Sequence, residues 1–124
     1  MAYDPVIQWG RIVAAGNERD WATVEALIAD DYHEILVMGD LASGTPTYQN
    51  DKAGFMAKCR WAEKRGWQVH PKSVTGLADA LVTTFEDTFG DGSSQLAYAI
   101  VRFNDRGQAV QVYATVPVLA AGAT

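Results

Sequence analysis

The pattern of apolar and polar positions changes character along this chain. In the first third the apolar residues recur at helical spacing. Val6, Trp9, Ile12 and Val13 share one face, and so do Trp21, Val24, Leu27 and Ile28. Asp4-Pro5 opens the first helix with an N-cap acid and a proline at the first helical position, and Gly16-Asn17 stops it. Asp20 caps the second helix, which runs to Ala29-Asp30-Asp31. The acids at its end sit where the helix dipole disfavours them, so they start the turn into a strand from Tyr32 to Met38.

Residues 39–50 read as a loop rich in Gly, Ser, Thr and Pro. Asn50 or Asp51 caps a third helix to about Arg65, with Phe55, Met56, Cys59 and Ala62 inward and Gly66 as its C-cap. Four strands follow, at about 67–76, 80–89, 95–103 and 109–116, joined by short turns that include Gly90-Asp91-Gly92 and Asp105-Arg106-Gly107. Short connections favour an antiparallel meander. The fold class is therefore α+β, with three helices packed on a curved, mostly antiparallel sheet that encloses a pocket.

Composition narrows the class. A chain of 124 residues is one ordinary domain, here 1–124, with 117–124 as a loosely held tail. The hydrophobic share of 48% and charged share of 20% describe a globular protein. A net charge of -5 argues against a general nucleic-acid binder. The single cysteine, Cys59, excludes an internal disulfide and a multi-cysteine zinc site. His33 and His70 have no ligand spacing, so no metal is expected, and no glycine-rich loop precedes a helix, so no nucleotide cofactor is expected either. The opening residues lack a secretory pattern and no apolar run spans a membrane, which makes cytoplasmic the expected location.

Three strings then carry a family resemblance: Ala14-Ala15-Gly16-Asn17 through Ala29-Asp30-Asp31, Gly66 to Val74, and Val101-Arg102-Phe103-Asn104-Asp105-Arg106-Gly107-Gln108. The chain resembles the NTF2-like superfamily in its SnoaL-like and ketosteroid-isomerase-like branch. The resemblance implies a cone-shaped domain that hosts enzymes, carriers and dimerisation modules alike. Ketosteroid isomerases use a carboxylate base with a tyrosine and a protonated acid as oxyanion hole. Those positions fall here at Leu36, Ile12 and near Ala99, all apolar, so the steroid isomerase mechanism is not expected. A second branch, resembling scytalone dehydratase and the dehydrochlorinases, places a histidine base at His70, with its acid partner near Asn17.

The candidate proton carriers are His70, Asp87 and Glu34. Imidazole suits proton shuttling near neutrality. Asp87 lies between Phe85 and Phe89 on one strand face. Glu34 joins the pocket if Leu36 does, by strand alternation, and would then need a partner such as Tyr48 or His70. The expected ligand-binding residues are Trp9, Ile12, Val13, Leu36, Met38, Phe55, Met56, Cys59, Ala99 and Tyr113, which suit a small hydrophobic molecule. The basic residues of the third helix, Lys58 among them, read as a solvated face, and Trp61 as core or interface. Two functions stay open: a cofactor-free isomerase, cyclase or dehydratase using His70 and one acid, or a non-catalytic ligand-binding or dimerisation module. The resemblance implies a homodimer through the outer sheet face, where Leu96 and Ile100 flank Tyr98 and Arg102.

Overall fold

A computed structural model describes residues 3–38 and 47–116. In chain order the elements are α1 (Pro5–Asn17), α2 (Trp21–Leu27), β1 (Ile28–Met38), β2 (Thr47–Asp51), α3 (Lys52–Lys64), β3 (Gln68–Gly76), β4 (Ala80–Thr88), β5 (Ser94–Phe103) and β6 (Ala109–Val116). Six strands form one sheet in the order β2-β1-β6-β5-β4-β3. Every pairing is antiparallel except β1 with β6, which is parallel.

The caps act as the sequence predicts. Asp4, Asp20 and Asp51 each accept a hydrogen bond from a backbone N–H in the first turn of α1, α2 and α3. Gly66 follows α3 at φ +72°, in the left-handed region. It is also crowded: a side chain there would meet the backbone nitrogen of Gly90 at 3.0 Å. That close approach lets the Arg65 carbonyl accept from Gly90 N–H at 2.8 Å and ties the end of α3 to the β4–β5 turn.

Two expected boundaries move. The second helix ends at Leu27, and Ile28 through Asp31 already belong to β1. The pairing of β1 with β6 shifts register between Ile28 and His33, so the acids Asp30 and Asp31 occupy an irregular stretch of strand rather than a helix end. Part of the loop expected at 39–50 is strand as well. β2 pairs its Tyr48, Gln49 and Asn50 with Leu36, Ile35 and Glu34. No apolar alternation announces this short edge strand. The rest of that loop and the tail at 117–124 lie outside the described residues.

Strand alternation sets the two faces of the sheet. Along β5, Ala97, Ala99, Val101 and Phe103 are buried while Leu96, Tyr98, Ile100 and Arg102 are exposed. Ala99 sits opposite Ala114 of β6, and Ala97 opposite Phe85 of β4. Small residues on the concave side leave space under the helices. The core around that space includes Ile12, Val24, Leu27, Ile28, Tyr32, Met56, Leu81 and Val101. Asn17 anchors α1 to the sheet by accepting from Val69 N–H at 2.8 Å and donating to the Val69 carbonyl at 2.9 Å.

Candidate functional site

Between the helices and the concave sheet face lies a cavity of about 320 Å³. Helix α1 supplies Trp9, Ile12 and Val13, and α3 supplies Phe55, Lys58, Cys59, Trp61 and Ala62. The sheet supplies Tyr32, Glu34, Leu36, Phe85, Asp87, Gln95, Ala97, Ala99 and Ala114, and Phe89 joins them just past the end of β4. All four tryptophans of the chain, Trp9, Trp21, Trp61 and Trp67, line it. Most of the wall is aliphatic or aromatic, as expected of a site that binds by apolar burial. Trp9 and Phe85 meet in a tilted arrangement with ring centroids 6.2 Å apart, and the buried Trp9 indole N–H has no hydrogen-bond partner among the described residues.

Two polar stations interrupt the apolar wall. The first is Asp87, only 6% exposed. Its carboxylate accepts from Trp67 Nε1 at 2.8 Å and from Gln95 Nε2 at 3.1 Å. Burial pushes its pKa up, because a charged carboxylate loses hydration in the wall. The two hydrogen bonds and the charges of Lys58 and His70 pull the other way and limit the rise.

The second station is Glu34, 2% exposed. Tyr32 donates its hydroxyl to Oε2 at 2.8 Å, while Asn50 Nδ2 and Lys58 Nζ donate to Oε1 at 2.9 and 2.7 Å. The Lys58 ammonium lies 5.1 Å from the centre of the Phe55 ring. Burial, then the Glu34 charge beside it, raise the Tyr32 pKa well above that of a free phenol. Burial likewise pushes the Cys59 thiol up to about 11, which leaves it a small apolar filler rather than a nucleophile. Among the described residues no group of three or more His, Cys, Asp or Glu side chains converges as a metal site.

The expected site residues divide as follows. Asp87, Glu34, Trp9, Ile12, Val13, Leu36, Phe55, Cys59 and Ala99 all line the cavity. His70 does not. It is exposed on β3, with its Nε2 3.0 Å from Thr88 Oγ1, because strand parity turns it away from Val69 and Asp87. Its expected partner Asn17 spends its amide on the Val69 backbone. Tyr113 is also outside the cavity. It is 49% exposed on the outer face, one residue out of phase with the inward Val112 and Ala114. Met56 packs into the core, one helical position from the cavity-lining Phe55. Met38 closes β1, and its side chain lies outside the described residues.

Lys58, Trp61, Trp67 and Gln95 were not expected in the site. For Lys58 a signal was present in the sequence. Phe55, Lys58, Cys59 and Ala62 form an i, i+3, i+4, i+7 stripe, so the lysine sits inside the apolar face of α3 rather than on its basic one. Its long stem lets it lie along the apolar surface while the ammonium reaches Glu34. Trp67 and Gln95 depend on strand register, since Gln95 stands directly opposite Asp87 across β4 and β5.

No family model matches the chain, and no curated protein matches it by sequence. Solved structures do. The chain is similar to wild-type IdmH, described as a candidate polyketide cyclase, from Streptomyces antibioticus, at a TM-score of 0.71 and 16% identity over 92% of each chain. It is similar to a SnoaL-like family protein from Agrobacterium tumefaciens, at a TM-score of 0.68 and 17% identity over 90% of this chain and 95% of that one. It is also similar to an LEH-like epoxide hydrolase of M. tuberculosis, at a TM-score of 0.72 and 16% identity over 90% and 81%. The chain thus has the NTF2-like, or cystatin-like, fold. At these identities the likeness establishes architecture and no particular reaction. Among the described residues no helix is long and apolar enough to cross a membrane.

Proposed function

We propose that this chain binds a small, mainly apolar ligand in the cavity and moves a proton on it with Asp87, as a cofactor-independent isomerase, cyclase or lyase. The observation that carries the reading is a buried carboxylate in an apolar wall, with its pKa raised by burial and its oxygens held by Trp67 and Gln95. A poorly hydrated, fixed carboxylate is a stronger base than one in water and is already aimed. His70 has no part in this mechanism. The similar proteins described as a cyclase and an epoxide hydrolase support a chemical role for such a pocket on this fold.

The test is hydrogen–deuterium exchange. Small cyclic ketones such as 2-cyclohexenone are incubated with the protein in D2O, and loss of the acidic C–H signals is followed by NMR. Binding is read in parallel from tryptophan fluorescence, since every tryptophan lines the cavity. The expected result is saturable exchange that falls about 100-fold or more in Asp87→Asn, the usual range for a lost general base.

A second reading, a non-catalytic binder, is favoured by one observation. Ile12, Leu36 and Ala99, at the positions of the isomerase machinery, all line the cavity and can neither donate nor accept a proton. Fluorescence quenching without exchange would select it. Under either reading we also propose a homodimer through the outer sheet face. Val82, Ile100 and Tyr113 stand side by side there across β4, β5 and β6, with Leu96 and Tyr98 alongside, all at least 42% exposed. A monomer in light scattering at micromolar concentration would remove that part.

A further inference from the structure

We propose that Lys58, aimed by Glu34, receives the oxygen of the ligand, so that the cavity selects neutral apolar molecules bearing a carbonyl. An ammonium carries three N–H groups. Among the described residues one of them has a hydrogen-bond acceptor, Oε1 of Glu34 at 2.7 Å. The Phe55 ring takes up part of the charge without accepting a conventional hydrogen bond. The ammonium thus retains hydrogen-bonding capacity at the edge of a cavity that is otherwise almost wholly apolar.

Glu34 is in the opposite condition. Its two oxygens already accept from Tyr32, Asn50 and Lys58. A carboxylate so occupied is poorly placed to take a proton from a ligand. Its evident work is to hold the ammonium in one place, which makes it a positioning residue. Lys58 and Asp87 then complete the geometry. The ammonium is near enough to lower the Asp87 pKa, yet no ion pair joins the two. A donor and a base therefore line the same cavity without pairing to each other.

The charges select the ligand. Lys58 and Glu34 neutralise each other, and Asp87 remains. An anionic ligand would enter beside two carboxylates and only one cation. A neutral carbonyl meets no such penalty and accepts a charge-assisted hydrogen bond. The proton step, which rests on the reading of Asp87 given above, balances without a co-reactant. Asp87 takes a proton from the carbon next to the carbonyl. The C–H electron pair becomes a C=C bond, and the carbonyl π pair moves onto oxygen as an enolate beside Lys58. Return of the proton from Asp87 to the same or another carbon closes the cycle with no net oxidation.

Infrared spectroscopy of bound 2-cyclohexenone tests the oxygen contact directly. Using Asp87→Asn protein throughout prevents turnover and separates this inference from the role of Asp87. The carbonyl stretch should move to lower frequency than in hexane, and the shift should survive in Lys58→Arg. It should vanish in the double variant Lys58→Met, Glu34→Gln, which removes both charges and so avoids stranding a buried carboxylate. Glu34→Gln alone should keep a weaker, broader shift. The double variant should also bind the ketone about tenfold or more weakly by tryptophan quenching. In protein that keeps Asp87, 1-cyclohexenecarboxylate should bind at least tenfold more weakly than the ketone. A carbonyl band that is the same with and without Lys58, or tighter binding of the carboxylate, overturns the proposal while leaving the role of Asp87 standing. Loss of exchange in Asp87→Asn with an intact Lys58-dependent band would confirm both, and absence of any quenching would overturn both.

Discussion

The indole of Trp67 donates a 2.8 Å hydrogen bond to Oδ1 of Asp87, joining the strand that follows α3 to the acid at the cavity wall. The two residues lie 20 positions apart: Trp67 immediately precedes β3, whose register with β4 pairs Val69 with Asp87. Trp67 supports the charged form of the acid and fixes its direction. Trp67→Phe keeps the aromatic body and deletes the donor. The Asp87 pKa should then rise further, because the chief influence opposing burial has gone. The pH midpoint of ketone exchange should move upward. Stability at neutral pH should fall by about 1–3 kcal/mol, the cost of depriving a buried charged acceptor of its partner. Urea titrations at pH 4 and pH 7 should show the loss shrinking at the lower pH, where more of the carboxyl is protonated.

Asp87→Asn should change how stability depends on pH. The ordinary aspartate pKa is 3.8, and in the fold Asp87 lies above it. Between those two values the native state holds more proton than the unfolded chain. Stability from this group therefore falls as pH rises through that window, and it is greatest below pH 3.8. Asparagine has no such dependence. The stability of Asp87→Asn relative to the parent should increase with pH across the window and level off above it. Denaturation midpoints at half-unit steps from pH 3.5 to pH 7 would reveal it, and a flat difference would contradict the raised pKa.

How far the site could be read in advance follows from which signals are local. The apolar face of α1 and the alternation of β5 are local patterns. They point to Trp9, Ile12, Ala97 and Ala99, which line the cavity. Asp87 between Phe85 and Phe89 is the same kind of signal. His70 shows where such signals end. Its parity on β3 depends on pairing with β4, and a bulge between Pro71 and Ser73 breaks even that alternation. Trp67 and Gln95 reach Asp87 only through sheet register, which no single segment encodes. Lys58 is different again. Its position in the stripe was visible, but a charged residue inside an apolar face has a reason only once Glu34 is known to lie beneath it.

His70→Ala should therefore be nearly silent for function. The ring is exposed and touches Thr88 on the outer side of the sheet, and surface substitutions of this kind usually change stability by less than about 0.5 kcal/mol. Ligand affinity by tryptophan quenching and the rate of ketone exchange should both stay within about twofold of the parent. Its charge does help to lower the Asp87 pKa, so a small upward shift of the exchange midpoint is expected. A loss of exchange comparable to that of Asp87→Asn would restore His70 as a proton carrier and require β3 to turn over in solution.

Lys58 and Glu34 should prove strongly non-additive in stability. Lys58→Met leaves a carboxylate that is 2% exposed without its counter-charge, and breaking a buried pair from one side costs about 3–5 kcal/mol. The Lys58 side chain is itself 34% exposed, so solvent softens the loss and places it at the low end of that range. Glu34→Gln strands a less buried ammonium that can turn toward water, and it keeps an amide oxygen for Tyr32, Asn50 or Lys58 to reach, so its cost should be smaller. The double variant removes both charges, and a neutral pair of similar volume often matches or exceeds the stability of the ion pair it replaces. Its urea midpoint should lie above that of Lys58→Met. The double-mutant cycle should then give a coupling energy above about 1 kcal/mol, as expected for two residues in one hydrogen-bonded network. Simple additivity would mean that the two side chains do not meet in solution, and the ammonium would have no fixed place from which to hold a ligand oxygen.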